Sequence, residues 1–222
     1  MGRPPAHSRE KLQQAALSLV DRGGLSALSM RSLAAALETG AMTLYNHVTD
    51  REDLDVLVVD AVLGEADLPA AARRDWKQDV TAIATAVWRA VRGHPNAIPL
   101  ILTRRSRSPV ALAIAERLLA ALARSGRSGR DLLIAFRAVT AFVMGFAQAE
   151  LAGPLSVGRG EPAVDIAAQV RALPGDRYPH LTAIARAAVR SRADVEFRDG
   201  LRALLDGLTP GAVRRGPRAD TS

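Results

Sequence analysis

Hydroxyl, aromatic, amide and imidazole side chains follow one another closely between residues 41 and 48. Thr43 offers a hydroxyl to a phosphate and a methyl group to thymine, and the Asn46 amide can pair with an adenine edge. Tyr45 and His47 suit contacts with a nucleic-acid backbone, with their ring bodies packed inward. This combination indicates an element that reads DNA, with a purely structural role for Tyr45 and His47 as the alternative.

Two short helices joined by a tight turn must position these side chains. Ser29 is a suitable N-cap for the first helix, the turn follows at 38–40, and the second helix runs from about 41 to 48. This arrangement is a helix-turn-helix, whose second helix enters the major groove of DNA. Arg31 in the first helix can reach guanine or phosphate, and Arg51 can attract phosphate at the start of the helix that follows.

Further amphipathic helices flank the helix-turn-helix on both sides. Ser8 can cap a first helix whose apolar residues recur every three or four positions until Gly23 and Gly24 end it. The run Thr49–Glu52 fits a capping box, with Thr49 as the N-cap of a fourth helix that extends to about Glu65. The apolar stripe of this fourth helix is long enough to pack against the three helices before it, which we call the head, and to continue into a second domain.

From Ser8 to about Glu65 the chain resembles the DNA-binding domain of the tetracycline-repressor (TetR) family of bacterial regulators. The resemblance rests on four segments taken together: 15–24, 29–34, 43–48 and 51–54. It implies an all-α homodimer whose two heads read the half-sites of a palindromic operator in double-stranded DNA. It also implies that eight residues lie at or near the DNA: Arg31, Ala41, Met42, Thr43, Tyr45, Asn46, His47 and Arg51.

The turn of the helix-turn-helix departs from the family pattern. The family usually has glycine where Glu38 stands and a small apolar residue where Thr39 stands, whereas this chain has glycine two residues later, at Gly40. We expect Gly40 to relieve the strain of the turn, because glycine adopts backbone conformations that other residues avoid. The Glu38 carboxylate adds a negative charge close to the expected path of the DNA.

The composition fits a globular protein of a reducing compartment. Of the 222 residues 48% are hydrophobic, and there is no cysteine for disulfides or thiolate metal sites. The chain has no uninterrupted run of about 18 apolar residues and no secretory signal, so we expect a cytoplasmic protein without a membrane partner. The net charge of +7 suits DNA, but it is spread along the chain, and an arginine-rich composition is equally typical of a GC-rich genome.

Helical periodicity continues through the rest of the chain, broken by prolines and glycines. The pattern predicts helices over residues 75–92, 96–104, 109–124, 129–152, 163–172, 178–190 and 193–208. The predicted parts are a flexible arm at 1–7, a DNA-binding domain at 8–66 (helix-turn-helix about 29–48), a ligand-binding and dimerisation domain at 67–210, and a disordered tail at 211–222.

The predicted helix at 131–151 is apolar nearly all round, so it must be buried on two sides. Small residues on one side permit the close approach of another helix, and the last helix is a natural partner. The resemblance implies a four-helix dimer interface built from two such helices of each subunit, with a monomeric core as the alternative. The predicted interface residues are Ala141, Gly145, Ala149, Phe197, Leu201, Leu204, Leu205 and Leu208.

A site for a small-molecule effector is predicted in the second domain, without a cofactor or a metal. Four of its residues are spaced four apart, and their mixed apolar and polar character is typical of sites for drug-sized molecules. A plain core, with Thr140 bonded to its own backbone, is the alternative. The predicted lining residues are Trp88, Thr103, Arg104, Phe136, Thr140, Met144 and Gln148.

Tetracycline itself is not the expected effector. A fainter resemblance to the tetracycline-repressor subgroup continues through the second domain, for example at 92–95. Asp67, Ile83 and Ile101, however, stand where that subgroup holds the drug and its magnesium with His, Asn and His. Isoleucine cannot ligate a metal or accept the same hydrogen bonds, so we expect no binding of magnesium–tetracycline.

Two other functions are weighed against a ligand-released repressor. A small α-helical enzyme is disfavoured, because the histidines lack metal-ligand spacing and Gly158-Arg159-Gly160 lacks the helix and lysine of a phosphate-binding loop. A regulator that answers a protein partner would have a filled second domain instead of an open cavity. In the favoured mechanism, the ligand stabilises a conformation that swings the fourth helix and changes the spacing of the two recognition helices.

Overall fold

The computed structural model describes residues 8–45, 47–152, 171–188 and 190–208, and every regular element within them is helical, which confirms the predicted all-α fold. These residues contain ten α-helices: α1 (Arg9–Gly23), α2 (Met30–Ala36), α3 (Ala41–Leu44), α4 (Arg51–Gly64), α5 (Trp76–Gly93), α6 (Ile98–Arg104), α7 (Pro109–Ala123), α8 (Gly129–Ala152), α9 (Pro179–Ala188) and α10 (Ala193–Gly207). The predicted arm at 1–7, the tail at 211–222 and most of the predicted helix at 163–172 lie outside the described residues.

The chain folds into two compact units that do not follow its linear order. The first unit contains Met1–Leu68 together with Ala86–Glu116, and the second contains Pro69–Thr85 together with Arg117–Ser222. The predicted domain boundary after residue 66 marks where the head ends in the sequence. In the structure, however, the head packs against residues that come much later in the chain. Most important among these is the connecting segment, which we define as residues 94–108 between α5 and α7.

Helix α4 is the central helix of the first unit. Seven consecutive residues, Leu54–Asp60, are buried, because α4 packs against both α1 and α6. From α1 come Leu12, Ala16 and Val20, which lie four residues apart and share one face of the helix. A helix buried on so many sides has little amphipathic character, which explains the nearly continuous apolar run of α4.

Three phenylalanine rings form the centre of the contact between α8 and α10 in the second unit. The ring centroid of Phe197 on α10 lies 5.4 Å from those of both Phe142 and Phe146 on α8. Gly200 permits this packing, because a Cβ atom at that position would come within 2.9 Å of the Phe142 ring. The two helices therefore pack as a tight pair within one chain.

Side-chain caps begin the helices of the head. Ser8 and Ser29 cap α1 and α2 as predicted, each accepting a hydrogen bond from the amide three residues further on. The predicted capping box at Thr49 is wrong, because α4 is capped by Asp50, whose carboxylate accepts a hydrogen bond of 2.7 Å from the amide of Asp53. The Thr49 hydroxyl donates to the Asp53 carboxylate instead.

Helix α2 ends in a turn that places Glu38 in the left-handed region, with φ of +50°. The Thr39 amide donates to the Ala34 carbonyl at 3.0 Å, and the Glu38 amide donates to the Ala35 carbonyl at 3.2 Å. These two bonds define a Schellman motif, which favours glycine at the left-handed position. The expectation that Gly40 relieves the turn is wrong, since its φ is not positive and Glu38 itself takes the unfavourable conformation.

Replacing Glu38 by glycine is expected to raise the free energy of unfolding by about 1 kcal/mol, because glycine adopts the left-handed conformation without a Cβ penalty. Chemical denaturation measures the change. Glu38→Ala is the control: it removes the charge but keeps the Cβ atom, so it should bring no comparable gain. Gly40→Ala should be nearly neutral, because a Cβ atom there meets open space. Destabilisation by Gly40→Ala without a gain from Glu38→Gly would contradict this assignment.

Candidate nucleic-acid interface

The second helix of the helix-turn-helix, α3, is short and is held by buried apolar side chains. It ends at Leu44, whose carbonyl then accepts hydrogen bonds of 2.8 and 2.9 Å from the amides of His47 and Val48. The predicted helix to residue 48 is therefore a four-residue helix followed by a turn. Leu44 and Val48 are fully buried, as is Leu33 of α2, and these anchors determine which side of α3 faces outward.

Several of the predicted DNA contacts face the solvent. The exposed ones are Met42, at 80% exposure, Tyr45, at 50%, and Arg31 on α2. Thr43 and His47 are half-buried beside them. The side chain of Ala41 and the whole of Asn46 lie outside the described residues, so their roles stay predictions.

The Arg51 side chain is held by hydrogen bonds within the protein. Its Nε donates to Asp55 Oδ1 at 3.0 Å, and its Nη2 donates to the Leu25 carbonyl at 3.3 Å. Its Nη1 donates to the Leu28 carbonyl. The half-exposed guanidinium thus braces the residues before α2 against α4, a role that the sequence does not reveal. Its predicted phosphate contact stays a prediction.

Carboxylates crowd the beginning of α4. Asp50, Glu52, Asp53 and Asp55 all lie within its cap and first turns, where the helix dipole favours negative charge. Hydrogen bonds from the hydroxyl and the amide of Thr49 lower the pKa of Asp53; burial opposes this, and the positive charge of Arg107 adds to the lowering. Asp53 is therefore ionised at neutral pH.

Two arginines of the connecting segment pair with these carboxylates. Arg107 pairs with Glu52 and also with Asp53, at 3.3 Å between Nη2 and Oδ1. Arg104 pairs with Asp55 at 3.3 Å and with Glu52 at 3.9 Å. Arg104 was also a predicted effector residue, and that role stays a prediction. Arg107 was missed, although so dense an acidic cluster signals a need for nearby cations.

Asp60 joins three helices through a buried carboxylate. It is 3% exposed and accepts hydrogen bonds from Arg9 at 2.9 Å and Gln13 at 3.4 Å, both on α1, and from the hydroxyl of Ser108. Ser108 Oγ in turn accepts a bond of 3.0 Å from the Ala111 amide and so caps α7. The same few atoms therefore connect the head to the end of the connecting segment.

His94 bridges the ends of α1 and α4. Its Nδ1 lies 2.8 Å from Asp21 Oδ2, and its Nε2 lies 3.0 Å from Glu65 Oε2. A neutral imidazole has a single N–H, so both hydrogen bonds together require the protonated ring. Burial lowers the pKa of His94, but hydrogen bonds to Glu65 and Asp21, and the charges of these carboxylates, outweigh burial and raise the pKa. Asn96 adds bonds of 3.1 and 3.2 Å to the last carbonyls of α1.

The predicted effector residues fall in both units. The first unit contains Trp88, Thr103 and Arg104, and the second contains Phe136, Thr140, Met144 and Gln148. The Thr140 hydroxyl donates to the Phe136 carbonyl at 2.9 Å, as the plain-core alternative expects, and the Thr103 hydroxyl donates to the Pro99 carbonyl at 2.8 Å. Trp88 and Met144 are buried, whereas Gln148 is exposed. An effector site at these residues stays a prediction.

Exposure divides the predicted dimer-interface residues. Ala141, Gly145 and Ala149 of α8 are exposed. Leu204 of α10 and Leu208, the C-cap of α10, are half-buried. The remaining three are buried within the chain, where α10 packs against α8: Phe197, Leu201 and Leu205. Their apolar stripe thus serves packing within the chain, and their part in a dimer interface stays a prediction.

Helix α8 is unusually apolar for a helix with so much exposed surface. From Gly129 to Glu150 it is long and apolar enough to cross a membrane by length and composition, and 28% of its most apolar window is buried. Core helices of soluble proteins pass the same test, so this is weak evidence for a membrane.

In the described ranges, no group of three or more His, Asp or Glu residues is arranged to hold a metal ion.

Comparison with known proteins identifies similar regulators. Residues 68–210 match the family model described as "Tetracyclin repressor-like, C-terminal domain". An HTH-type transcriptional regulator of Saccharopolyspora erythraea is 40% identical over 146 residues, which span 66% of this chain and only 62% of that relative. The HTH-type transcriptional repressor DrrR1 of Streptomyces coeruleorubidus is 29% identical over 226 residues, 98% of this chain and 83% of the repressor. The crystal structure of the TetR family protein ActR of Streptomyces coelicolor with actinorhodin has a TM-score of 0.72 and 28% identity, covering 93% of this chain and 99% of ActR.

The His94 bridge is expected to make stability depend on pH. Because its pKa is raised above the ordinary 6.5, its contribution is fully present below about pH 6.5 and is lost as the pH rises through the raised value. His94→Gln should therefore destabilise the protein most in mildly acidic solution and least in alkaline solution. Urea denaturation over a series of pH values measures the difference, and His180→Gln, at an exposed histidine of α9, is the control. A difference between wild type and His94→Gln that stays constant with pH would contradict the bridge.

Proposed function

The chain belongs to the tetracycline-repressor (TetR) family of transcriptional regulators, and we propose that it is a homodimeric repressor that a small molecule releases from a palindromic DNA operator. The geometry of the helix-turn-helix carries this proposal. Leu33 and Leu44 are fully buried, while Arg31, Met42 and Tyr45 remain exposed around them. A helix-turn-helix presents such outward side chains to base edges and phosphates. A repressor of this kind acts in the cytoplasm and catalyses no reaction.

Release by a small molecule is supported by the relatives. ActR binds actinorhodin, and the part of this chain that matches the family model is its C-terminal domain. We propose an apolar or amphipathic effector that contacts the face of α8 on which Phe136, Thr140, Met144 and Gln148 recur at intervals of four. Arg104 is not part of this face, because it lies on α6 and its guanidinium pairs with Asp55 of α4.

Dimerisation through α8 is supported by its exposed apolar surface. Ile134, Ala141 and Gly145 are exposed and recur at intervals of seven and four, which places them on one side of the helix. Leu181 and Ile184 of α9 are also exposed, at 44% and 50%. A second copy of the chain would remove this apolar surface from water, and a symmetric pair of identical patches is the usual arrangement of dimers.

Coupling between effector and operator is proposed to pass through the connecting segment. Helices α5 and α7 each run from one unit into the other, and the segment lies between them in the chain. It holds α4 through Arg104 on Asp55 and through Ser108 on Asp60. A shift of the segment would therefore move α4 and change the spacing of the two α3 helices in a dimer.

Selection from a random pool of DNA duplexes with the full chain is expected to enrich a palindrome with half-sites about one helical turn apart. On that operator Tyr45→Ala should lower affinity about tenfold, because a side chain at the groove is lost. Tyr178→Ala replaces the other tyrosine of the chain, in the second unit, and should leave affinity unchanged. Fluorescence anisotropy measures both.

A release screen on the recovered operator completes this test, with actinorhodin among the compounds. Release by a compound supports an effector site, whereas release only by a protein partner would favour the alternative regulator. Enrichment of no sequence by the folded wild-type chain would contradict operator binding itself.

Ala141→Glu is expected to convert the dimer to a monomer, because the new carboxylate would be buried without a partner at the centre of the α8 surface. Sedimentation velocity measures the change. Ala123→Glu makes the same substitution at an exposed alanine at the end of α7 and should leave the dimer intact. A wild-type sedimentation profile for Ala141→Glu would show that the subunits meet elsewhere.

A further inference from the structure

The beginning of α4 carries an unusual negative charge for a surface next to DNA. Asp50, Glu52, Asp53 and Asp55 place four carboxylates within six residues. The side chains of Glu52 and Asp53 are 47% and 33% exposed. Exposed carboxylates repel the phosphates of a nearby duplex, so this turn opposes DNA binding unless its charge is neutralised.

These carboxylates lie close to the path of the DNA that the proposed function requires. Val48 is buried beside α3 and is two residues from Asp50, so their Cα atoms are at most about 7 Å apart. Phosphates line both edges of the major groove that α3 would enter, and this groove is about 12 Å wide. Screening at physiological salt acts over about 8 Å, so the repulsion is only partly screened.

The connecting segment supplies the neutralising charges. Arg107 engages Glu52 and Asp53 together, and Arg104 engages the buried Asp55. The exposed Asp50 pairs with neither arginine and caps α4 instead. Their neighbour Arg105 is exposed and has no ion pair within the described part of the chain. Without Arg104 and Arg107, the four carboxylates would face Arg51 alone, and its guanidinium is turned toward backbone carbonyls and Asp55.

We propose that Arg107, assisted by Arg104, raises operator affinity without touching the DNA, by masking the carboxylates at the beginning of α4 from the phosphates. This inference rests on the proposed function. It identifies Arg107 as a positioning residue, since both ends of its guanidinium are already bound to carboxylates. It also gives the connecting segment a second means of acting on DNA, because displacement of the segment withdraws both arginines and exposes negative charge to the operator.

The test measures operator binding by the full chain carrying Arg107→Gln, Glu52→Gln or both. At about 0.1 M salt, Arg107→Gln is expected to lower affinity about three- to tenfold, and Glu52→Gln to raise it about twofold. The double variant should bind the operator more tightly than Arg107→Gln alone, because one of the two carboxylates that Arg107 covers is then gone. All these differences should shrink at higher salt, since screening shortens the reach of each charge.

Arg105→Gln is the matched control, because it removes the same charge from an unpaired neighbour and should change affinity by less than about twofold. Equal losses of operator affinity from Arg105→Gln and Arg107→Gln would overturn masking and show that only the net charge of the protein matters. A double variant as weak as Arg107→Gln would overturn it in favour of a direct phosphate contact. A loss that persists at high salt with a lowered melting temperature would overturn it in favour of folding. Failure of the wild type to bind any duplex would instead remove the proposed function.

Discussion

Two buried carboxylates on the otherwise apolar helix α4 determine which residues pack against the head. Helix α4 is covered on most sides, so Asp55 and Asp60 lose their water and must find partners inside the fold. Their partners come from both directions: Arg9 from the head, and Arg104 and Ser108 from the connecting segment. Apolar burial supplies most of the free energy of packing, but it is not directional. The two aspartates supply the direction, because hydrogen bonds and ion pairs require particular donors at particular distances.

The turn between α2 and α3 shows a second constraint, in which local strain is retained at the expected DNA surface. Glu38 takes a left-handed conformation that costs a non-glycine residue about 1–2 kcal/mol, while glycine stands two residues away where it is not required. Its carboxylate adds to the negative charge near α3 that Glu52 and Asp53 already contribute. The strain lowers the stability of the head, and the negative charge opposes the approach of phosphates. This suits the proposed repressor, which an effector would have to release, since coupling between sites is typically only about 1–3 kcal/mol.

The sequence predicts the helices of this fold closely, because apolar periodicity, serine caps and proline breaks are local signals. Ser8 and Ser29 are caps in the structure, and the predicted helix at 129–152 matches α8. Partner choice is not local, so the sequence does not show it. The pairing of Arg104 with Asp55 was not predicted, because nothing near Arg104 in the sequence shows that Asp55, 49 residues earlier, is buried beside it. Phe197 was assigned to a dimer interface, because an apolar stripe does not reveal whether its partner helix belongs to the same chain.

The contacts that hold the connecting segment differ in strength along its length. Exposed ion pairs such as those of Arg107 contribute about 0–1 kcal/mol each, whereas removing one partner of a buried carboxylate such as Asp60 costs about 3–5 kcal/mol. A displacement that begins near Arg107 and leaves Ser108 and His94 in place therefore breaks the weak contacts first. Arg107, which covers Glu52 and Asp53, is among these weak contacts, whereas Arg104 pairs with the buried Asp55. In the proposed mechanism, an effector with a modest coupling free energy would displace Arg107 and expose Glu52 and Asp53 to the operator while α4 keeps its buried contacts. Charge and helix movement would then act together in release.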